Sequence, residues 1–451
     1  MLRLYDTASR QVRPLALRQP GQVSIYLCGP TVYGPPHIGH GRATLVYDIL
    51  RRYLTWSGLT VRLVSNVTDI DDKIIERAAR DGVPWQEITS TYEALWFEAM
   101  GSIGVERPTD VPHATDYVDQ MVAMIEELIA GDHAYVTADG VYLAVETVDG
   151  YGLLAGQSLD EMLAGGGERE VFGAGNKRHP ADFALWKLSK PGEPAWPASF
   201  GDGRPGWHSE CVVMSLDLLG EGFDLHCGGQ DLRFPHHENE RAQAVALGKR
   251  FAGHWMHHGF IVDGDGEKMS KSLGNVDSLV ELAQQYDPRA YRMLLLQAHY
   301  RGPVTVSRDN LDASAKAVAR VDGIARRFPH GTAAADESVL DEFRRLMDDD
   351  LNTTGAMGLM FDAVTRANAA ADAGDQAAAQ ALAAAVREIA RAVGLELHGE
   401  SAVPAHAQAT AQALDQARAA KDFATADRLR GELQADGWTV ETTRTGTTLR
   451  R

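Results

Sequence analysis

Cys28, His37 and His40 share one short stretch, Cys28-Gly29-Pro30-Thr31-Val32-Tyr33-Gly34-Pro35-Pro36-His37-Ile38-Gly39-His40. An imidazole can donate a hydrogen bond at neutral pH, and a thiol is a soft metal ligand. Far downstream, Cys211 closes Trp207-His208-Ser209-Glu210-Cys211, and His236 and Glu240 bracket His236-His237-Glu238-Asn239-Glu240. Four residues apart on a helix, His236 and Glu240 point to one face. With Cys28 and Cys211 they make a two-sulfur, one-nitrogen, one-oxygen set suited to tetrahedral Zn²⁺. Each member also has an ordinary explanation, a solvated i,i+4 pair or a small buried hydrophobe. Cys227, His226, His237 and Glu238 compete for the same role. A further candidate is Lys268-Met269-Ser270-Lys271-Ser272. Two lysines spaced with serines can follow a triphosphate as mobile point charges, although a bare five-residue string also reads as a basic surface loop. Trp207 could wall a small pocket, but most tryptophans of this kind pack in a core.

Residues 23–27, rich in β-branched and aromatic types, predict a strand that runs into the Gly/Pro loop and then a helix over 40–56. Strand, glycine loop and helix is the arrangement that sets backbone N–H groups and a positive helix end against phosphate. A second strand over 61–67 and a helix ending near residue 80 extend this into a parallel βαβ pattern, followed by a helix over 84–100. Residues 109–205 look inserted into the sheet. They contain a helix over 117–130, a hairpin over 134–145 turning at Asp139-Gly140, a glycine-rich surface loop over 164–176, and a return to structure at 182–187. The parallel pattern resumes with a helix over 207–219, a strand over 223–226, a helix over 236–247 and a strand over 256–262. From 279 the chain turns helical. Weak linkers at 329–337 and 399–404 flank helices over 341–393, where Leu382, Val386, Ile389 and Val393 form one apolar stripe. Helices near 408–421 and 423–435 and a hairpin over 438–442 and 447–449 close the chain. The fold class is therefore α/β with a helical remainder.

The 451 residues suffice for two to four domains. The first residues lack the apolar core of a signal peptide, and no run of 18 apolar residues is present, so the expectation is a cytoplasmic protein without a membrane span. Three widely spaced cysteines suit ligand or structural thiols in a reducing compartment better than a disulfide framework. A net charge of −18 disfavours indiscriminate binding to nucleic acid but leaves room for a local basic patch. The C-terminal region offers one: Lys421, Arg428, Arg430, Arg444, Arg450 and Arg451 lie among Phe423 and Trp438, a mixture suited to unstacked RNA bases but diluted by four nearby carboxylates.

His37-Ile38-Gly39-His40 and Lys268–Ser272 resemble the HIGH and KMSKS signatures of class I aminoacyl-tRNA synthetases. CGPTVYGPPHIGHGR, NVTDIDDKI, DFALWK, GWHSEC, FPHHENE and MDDDLNT, with the tail GTTLR, are similar to the cysteinyl-tRNA synthetases in particular. The resemblance implies ATP-dependent attachment of L-cysteine to its tRNA(Cys) through a cysteinyl-adenylate. It implies Zn²⁺ on Cys28, Cys211, His236 and Glu240, taking the substrate thiolate, and excludes Cys227 as a ligand. Thr68, Trp207 and Asp231 would shape the cysteine pocket, with Asp231 pairing the α-ammonium. His37 and His40, with Gly29 and Gly39, would contact ATP and its Mg²⁺, and Lys268 and Lys271 would assist catalysis, Lys271 at the departing pyrophosphate. The implied organisation is a Rossmann-type catalytic domain (1–108 and 201–262), an inserted domain (109–200), a KMSKS and stem-contact region (263–330), a helical tRNA-binding domain (331–398) and a C-terminal anticodon-binding module (405–451), in a monomer. The glycine stretch before DFALWK is longer than the family pattern leads one to expect.

A metal site suits this chemistry. Cysteine and serine differ by one atom, which a pocket of protein groups separates poorly, whereas zinc prefers a thiolate to a hydroxyl by bond type. Two rivals are a ligase passing activated cysteine to an amino sugar, as in mycothiol synthesis, and a zinc hydrolase. The long helical remainder argues against the first, and the paired nucleotide motifs have no task in the second.

Overall fold

The computed structural model describes residues 2–157, 161, 176–262, 278–329, 333–399, 405–442 and 446–450. The Lys268–Ser272 motif, nearly all of the glycine-rich stretch 164–176 and most of the 399–404 linker lie outside them.

Four parallel strands form the central sheet: β3 (Gln22–Leu27), β4 (Thr60–Ser65), β9 (Leu225–Gly229) and β10 (Trp255–His258), in the order β10-β9-β3-β4. Ile25 lies opposite both Leu63 and Leu225, and Leu27 opposite Cys227. The helix α1 (Ile38–Trp56) crosses from β3 to β4, burying Leu45, Ile49, Leu50 and Tyr53. All four strands end on the same side. The chain leaves β3 towards β4 on one flank and β9 towards β10 on the other. Ligands in open parallel sheets sit where the winding reverses, here beyond the carboxyl ends of β3 and β9. Near the N-terminus, the hairpin β1 (Arg3–Asp6) and β2 (Gln11–Pro14) docks on β10, where the buried Asp6 accepts the Trp255 N–H.

Helices α2 (Asp72–Asp81), α3 (Trp85–Ser102) and α4 (Val118–Ala130) precede an antiparallel sheet of β5 (Ala134–Val136), β6 (Gly140–Leu143), β7 (Phe183–Leu188) and β8 (Gly203–Pro205). The hairpin turns one residue earlier than the sequence suggests: Thr137 donates to Asp139 and to the Gly140 carbonyl, and Gly140 belongs to β6. An ionic cluster fastens this sheet to α2. Asp72 accepts from Lys187 and, at 2.6 Å, from Arg204, which also reaches Glu193 at 2.5 Å.

Two expectations change. The strand expected over 256–262 is two strands. It breaks at Gly259, whose N–H donates to the Tyr300 carbonyl at 2.9 Å, and where any Cβ would lie 2.4 Å from the Gly302 oxygen. Beyond the break, β11 (Ile261–Val262) pairs in parallel with β12 (Val304–Thr305). The helix expected over 236–247 is regular only in α6 (Glu238–Ala246). It follows α5 (Trp207–Leu219) in sequence and is preceded by a wide turn, Arg233–His237, in which Phe234 is extended.

After α7 (Leu279–Gln285), α8 (Pro288–Leu296) and α9 (Arg308–Arg327) come α10 (Glu337–Met347), α11 (Thr353–Asp372) and α12 (Gln376–Ala392). The Leu382/Val386/Ile389/Val393 stripe is buried, and one apolar core runs from Ile25 and Tyr53 through Val321 and Phe343 to Val386. The last helices, α13 (Ala405–Ala419) and α14 (Phe423–Ala435), and the hairpin β13 (Thr439–Thr442) with β14 (Thr447–Arg450) keep a separate core around Leu414, Leu433 and Trp438. Trp438 is thus a core residue rather than a stacking platform, whereas Phe423 is exposed.

Candidate active site and metal centre

Cys28 follows the last residue of β3, Cys211 lies in the second turn of α5, and His236 and Glu240 flank the start of α6. Their ligand atoms all lie within 4.8 Å of one another. The Cys28 and Cys211 sulfurs are 3.7 Å apart, Cys211 Sγ is 3.6 Å from His236 Nε2, and Cys28 Sγ is 3.5 Å from Glu240 Oε1. A tetrahedron with Zn–S bonds near 2.3 Å has sulfur–sulfur edges of about 3.8 Å and mixed edges of about 3.6 Å. The donor set fits a zinc ion.

Neighbouring groups fix the orientation of these donors. His236 Nδ1 faces His208 Nδ1 at 2.9 Å, which turns Nε2 inward. Glu240 Oε2 is held by His226 Nε2 at 2.6 Å, while Oε1 faces His236 Nε2 at 2.9 Å. Ligand, then imidazole or carboxylate behind it, is the usual order of a metal site. A second grouping, Cys28, His226, His237 and Glu240, shares two members with the first, so the two sets would compete for one ion. In it, His226 engages the carboxylate directly, and His237, backed at Nδ1 by His257 at 2.8 Å, brings Nε2 to 3.3 Å from Cys28 Sγ. The two-thiolate set is the softer and better matched to zinc.

Electrostatics favour three of the four; the fourth, Cys28, has its thiol pushed up by burial, Cys211 and Glu240. Burial opposes the Cys211 thiolate, but hydrogen bonds from Cys28 and His236 outweigh it and hold the thiol at about 6. Burial also opposes the His236 cation, yet the Glu240 charge raises it to about 10. Glu240 stays well below the ordinary carboxylate range, against its burial, because His226 and His236 face it. Cys227 differs: it is fully buried in the sheet core, burial alone pushes its thiol up, and it joins neither grouping. Glu238 is also engaged elsewhere, accepting the Leu154 N–H at 2.6 Å and Arg241 at 3.2 Å.

Around the four donors, the Trp207 ring stacks on His236 at 4.2 Å between centroids and is 38% exposed, placing it at the mouth of the site. Thr68 is buried and donates to Glu210 Oε2 at 2.6 Å. Asp231 lies in the turn just past β9, at the carboxyl edge of the sheet. Sequence reasoning did not single out Glu210, His208 or Asn66. Asn66 accepts the Gly29 N–H at 2.9 Å. Two of these, His208 and Glu210, precede Cys211 in its own motif, the signal that was available.

His37 and His40 form the start of α1. Each ring Nδ1 accepts the other residue's backbone N–H, at 3.4 and 3.2 Å, a reciprocal capping box. The rings stack at 3.6 Å. With Nδ1 accepting, a neutral ring carries its proton on Nε2. Burial and the adjacent His37 lower His40 to about 3, so it is a neutral donor at physiological pH. Gly39 is required by this stack, since a Cβ there would sit 2.8 Å from His37 Cε1. Gly29 is required by the close approach of β3's exit to the next strand's, where a Cβ would overlap the Asn66 carbonyl at 1.6 Å.

A family model described as the class I (C) tRNA synthetase catalytic domain matches residues 14–316, and a DALR domain model matches 342–398. A cysteine–tRNA ligase of Halorhodospira halophila is 44% identical over the full length of both chains. The chain belongs to the cysteine–tRNA ligase family. A second member, from Laribacter hongkongensis, is 43% identical, again over both full lengths. Among solved structures, the methionyl-tRNA synthetase of Mycobacterium tuberculosis with methionyl-adenylate aligns over 82% of this chain and 90% of its own, with a TM-score of 0.59 at 16% identity, which speaks to the fold alone. As in a class I synthetase, a parallel sheet precedes a helical C-terminal region. Among the described residues, no helix is long and apolar enough to cross a membrane.

Proposed function

We propose that this chain activates L-cysteine with ATP and transfers it to tRNA(Cys), with one Zn²⁺ held by Cys28, Cys211, His236 and Glu240. The observation that carries the reading is the spacing of those four donors beyond the carboxyl end of β3, the strand whose exit loop runs from Cys28 to the paired histidines of α1. Zinc bound there supplies a Lewis acid that accepts a thiolate and discriminates against a hydroxyl.

The chain's own groups do the rest. Asp231 pairs the substrate ammonium, and Thr68, held by Glu210, and Trp207 wall the side-chain pocket. The Nε2–H groups of His37 and His40, with the backbone opened by Gly29 and Gly39, orient the phosphates of ATP–Mg²⁺. The substrate carboxylate attacks the α-phosphorus in line. Lys268 and Lys271 neutralise the departing pyrophosphate, and the terminal ribose hydroxyl of tRNA then displaces AMP. Such a reaction needs positioning and charge neutralisation rather than a protein nucleophile.

The proposed division of labour assigns adenylate formation to 1–108 and 201–262, with 109–200 inserted. Residues 263–330 contact the stem, 331–398 the tRNA body, and 405–451 the anticodon. The DALR match and the full-length similarity favour a tRNA acceptor over an amino sugar, and the paired nucleotide motifs disfavour a hydrolase. Pyrophosphate exchange measured with each common amino acid tests the reading: cysteine alone should support it, followed by charging when tRNA is added.

A further inference from the structure

Arg42 lies in the second turn of α1, two residues after His40, and is 1% exposed. Among the described residues, no carboxylate pairs with it. Its guanidinium instead donates to three backbone carbonyls: Phe260, Tyr300 at 3.1 Å and Gly302 at 2.5 Å. Burial lowers it only to about 10, so it remains a cation. A buried charge without a counter-ion is expensive; here the two terminal nitrogens are satisfied by carbonyls, while Nε has no hydrogen-bond partner among the described residues.

The carbonyls it joins belong to the two segments that converge at Gly259. Phe260 leads directly into β11, and Tyr300 and Gly302 form the turn before β12. The chain between Val262 and Ser278 carries Lys268 and Lys271. Its far end is tied to the same helix start: Ser278 bridges His37, and the Leu279 N–H donates to the Pro36 carbonyl at 3.2 Å. The loop and first turns of α1 therefore hold both ends of that segment, the near end through Arg42.

We infer that Arg42 is a positioning residue for adenylate formation, fixing where the segment bearing Lys268 and Lys271 leaves β11 relative to His37 and His40. This rests on the function proposed above. A planar fork can bridge three carbonyls, whereas a lysine ammonium on a flexible stem cannot hold the same geometry. Misplacing a catalytic group by about 1 Å can cost about a hundredfold in rate.

The test compares Arg42→Lys and Arg42→Gln with the unaltered chain, with rates counted per folded, cysteine-binding site. Cysteine-dependent pyrophosphate exchange should fall about tenfold or more in kcat, with KM for cysteine within about twofold. Transfer from preformed cysteinyl-adenylate to tRNA involves no pyrophosphate and should proceed at the normal rate. Equal loss in both steps, or failure of both variants to fold, would make Arg42 a stability residue and overturn the inference. Full exchange activity in Arg42→Lys would also overturn it. Absence of cysteine-dependent exchange in the unaltered chain would instead overturn the proposed function itself.

Discussion

His236 Nε2 and Glu240 Oε1 face each other at 2.9 Å, and the far side of each group is already taken, His236 Nδ1 by His208 and Glu240 Oε2 by His226. The pair is oriented from behind towards the two sulfurs. An ordinary i,i+4 ion pair on a helix surface is solvated and free to rotate. This one is fully buried and leaves one nitrogen and one oxygen aimed at a common point.

Metal content should follow this geometry. The purified chain should hold about one Zn²⁺, Cys211→Ser should lose it, and Cys227→Ser should keep it. Elemental analysis of the three proteins decides the matter. Zinc retained in Cys211→Ser, or lost in Cys227→Ser, would mean a different ligand set.

The supporting imidazoles should matter without being ligands. His226→Gln or His208→Gln should weaken zinc about 10- to 100-fold and leave the stoichiometry unchanged. Competition with a chromogenic chelator reads this. A stoichiometry of zero in His226→Gln would promote His226 to the ligand set, through the alternative grouping with His237.

Asp6 should report on the fold rather than on the chemistry. Burial opposes its charge, but the Trp255 and Ser9 N–H groups, His254 and Arg13 outweigh that and lower its pKa. A carboxyl depressed in the folded state adds stability above its unfolded pKa, about 3.9, and loses it as pH falls through the folded value. Asp6→Asn should therefore cost about 1–3 kcal/mol at pH 7, with the deficit shrinking below about pH 4. Urea unfolding at several pH values measures it, and a deficit independent of pH would assign the loss to geometry instead of charge.

The last module should be separable. Residues 405–442 and 446–450 keep their own core around Leu414, Leu433 and Trp438, so a chain ending near residue 403 should fold. It should retain cysteine-dependent exchange and lose most tRNA charging. Circular dichroism with the two assays checks this; loss of exchange on truncation would make the module structural.

Much of this was legible in the residues. The β-branched run of β3 and the loop after it predict the strand that delivers Cys28, and parallel strands bring their carboxyl ends together. That is how Cys28 and Glu240, 212 residues apart in sequence, come to meet. Other features were not legible. His208 and His226 support the ligands because of which way a helix and a strand face, and neither the place of His208 in the Cys211 motif nor the candidacy of His226 as a ligand shows that role. The break at Gly259 depends on the 300–302 turn, a contact no window of residues contains. Trp438 beside basic residues looked like a surface for RNA, but the module is small and needs the ring for its core.

The most direct test of the central claim is pyrophosphate exchange with cysteine and with serine, on zinc-loaded and chelator-stripped protein. If the four donors confer recognition, the loaded enzyme should prefer cysteine by at least on the order of 10⁴, about 5 kcal/mol, and the stripped enzyme should lose cysteine activation, with zinc restoring it. Undiminished cysteine activation and selectivity in the metal-free protein would contradict the account.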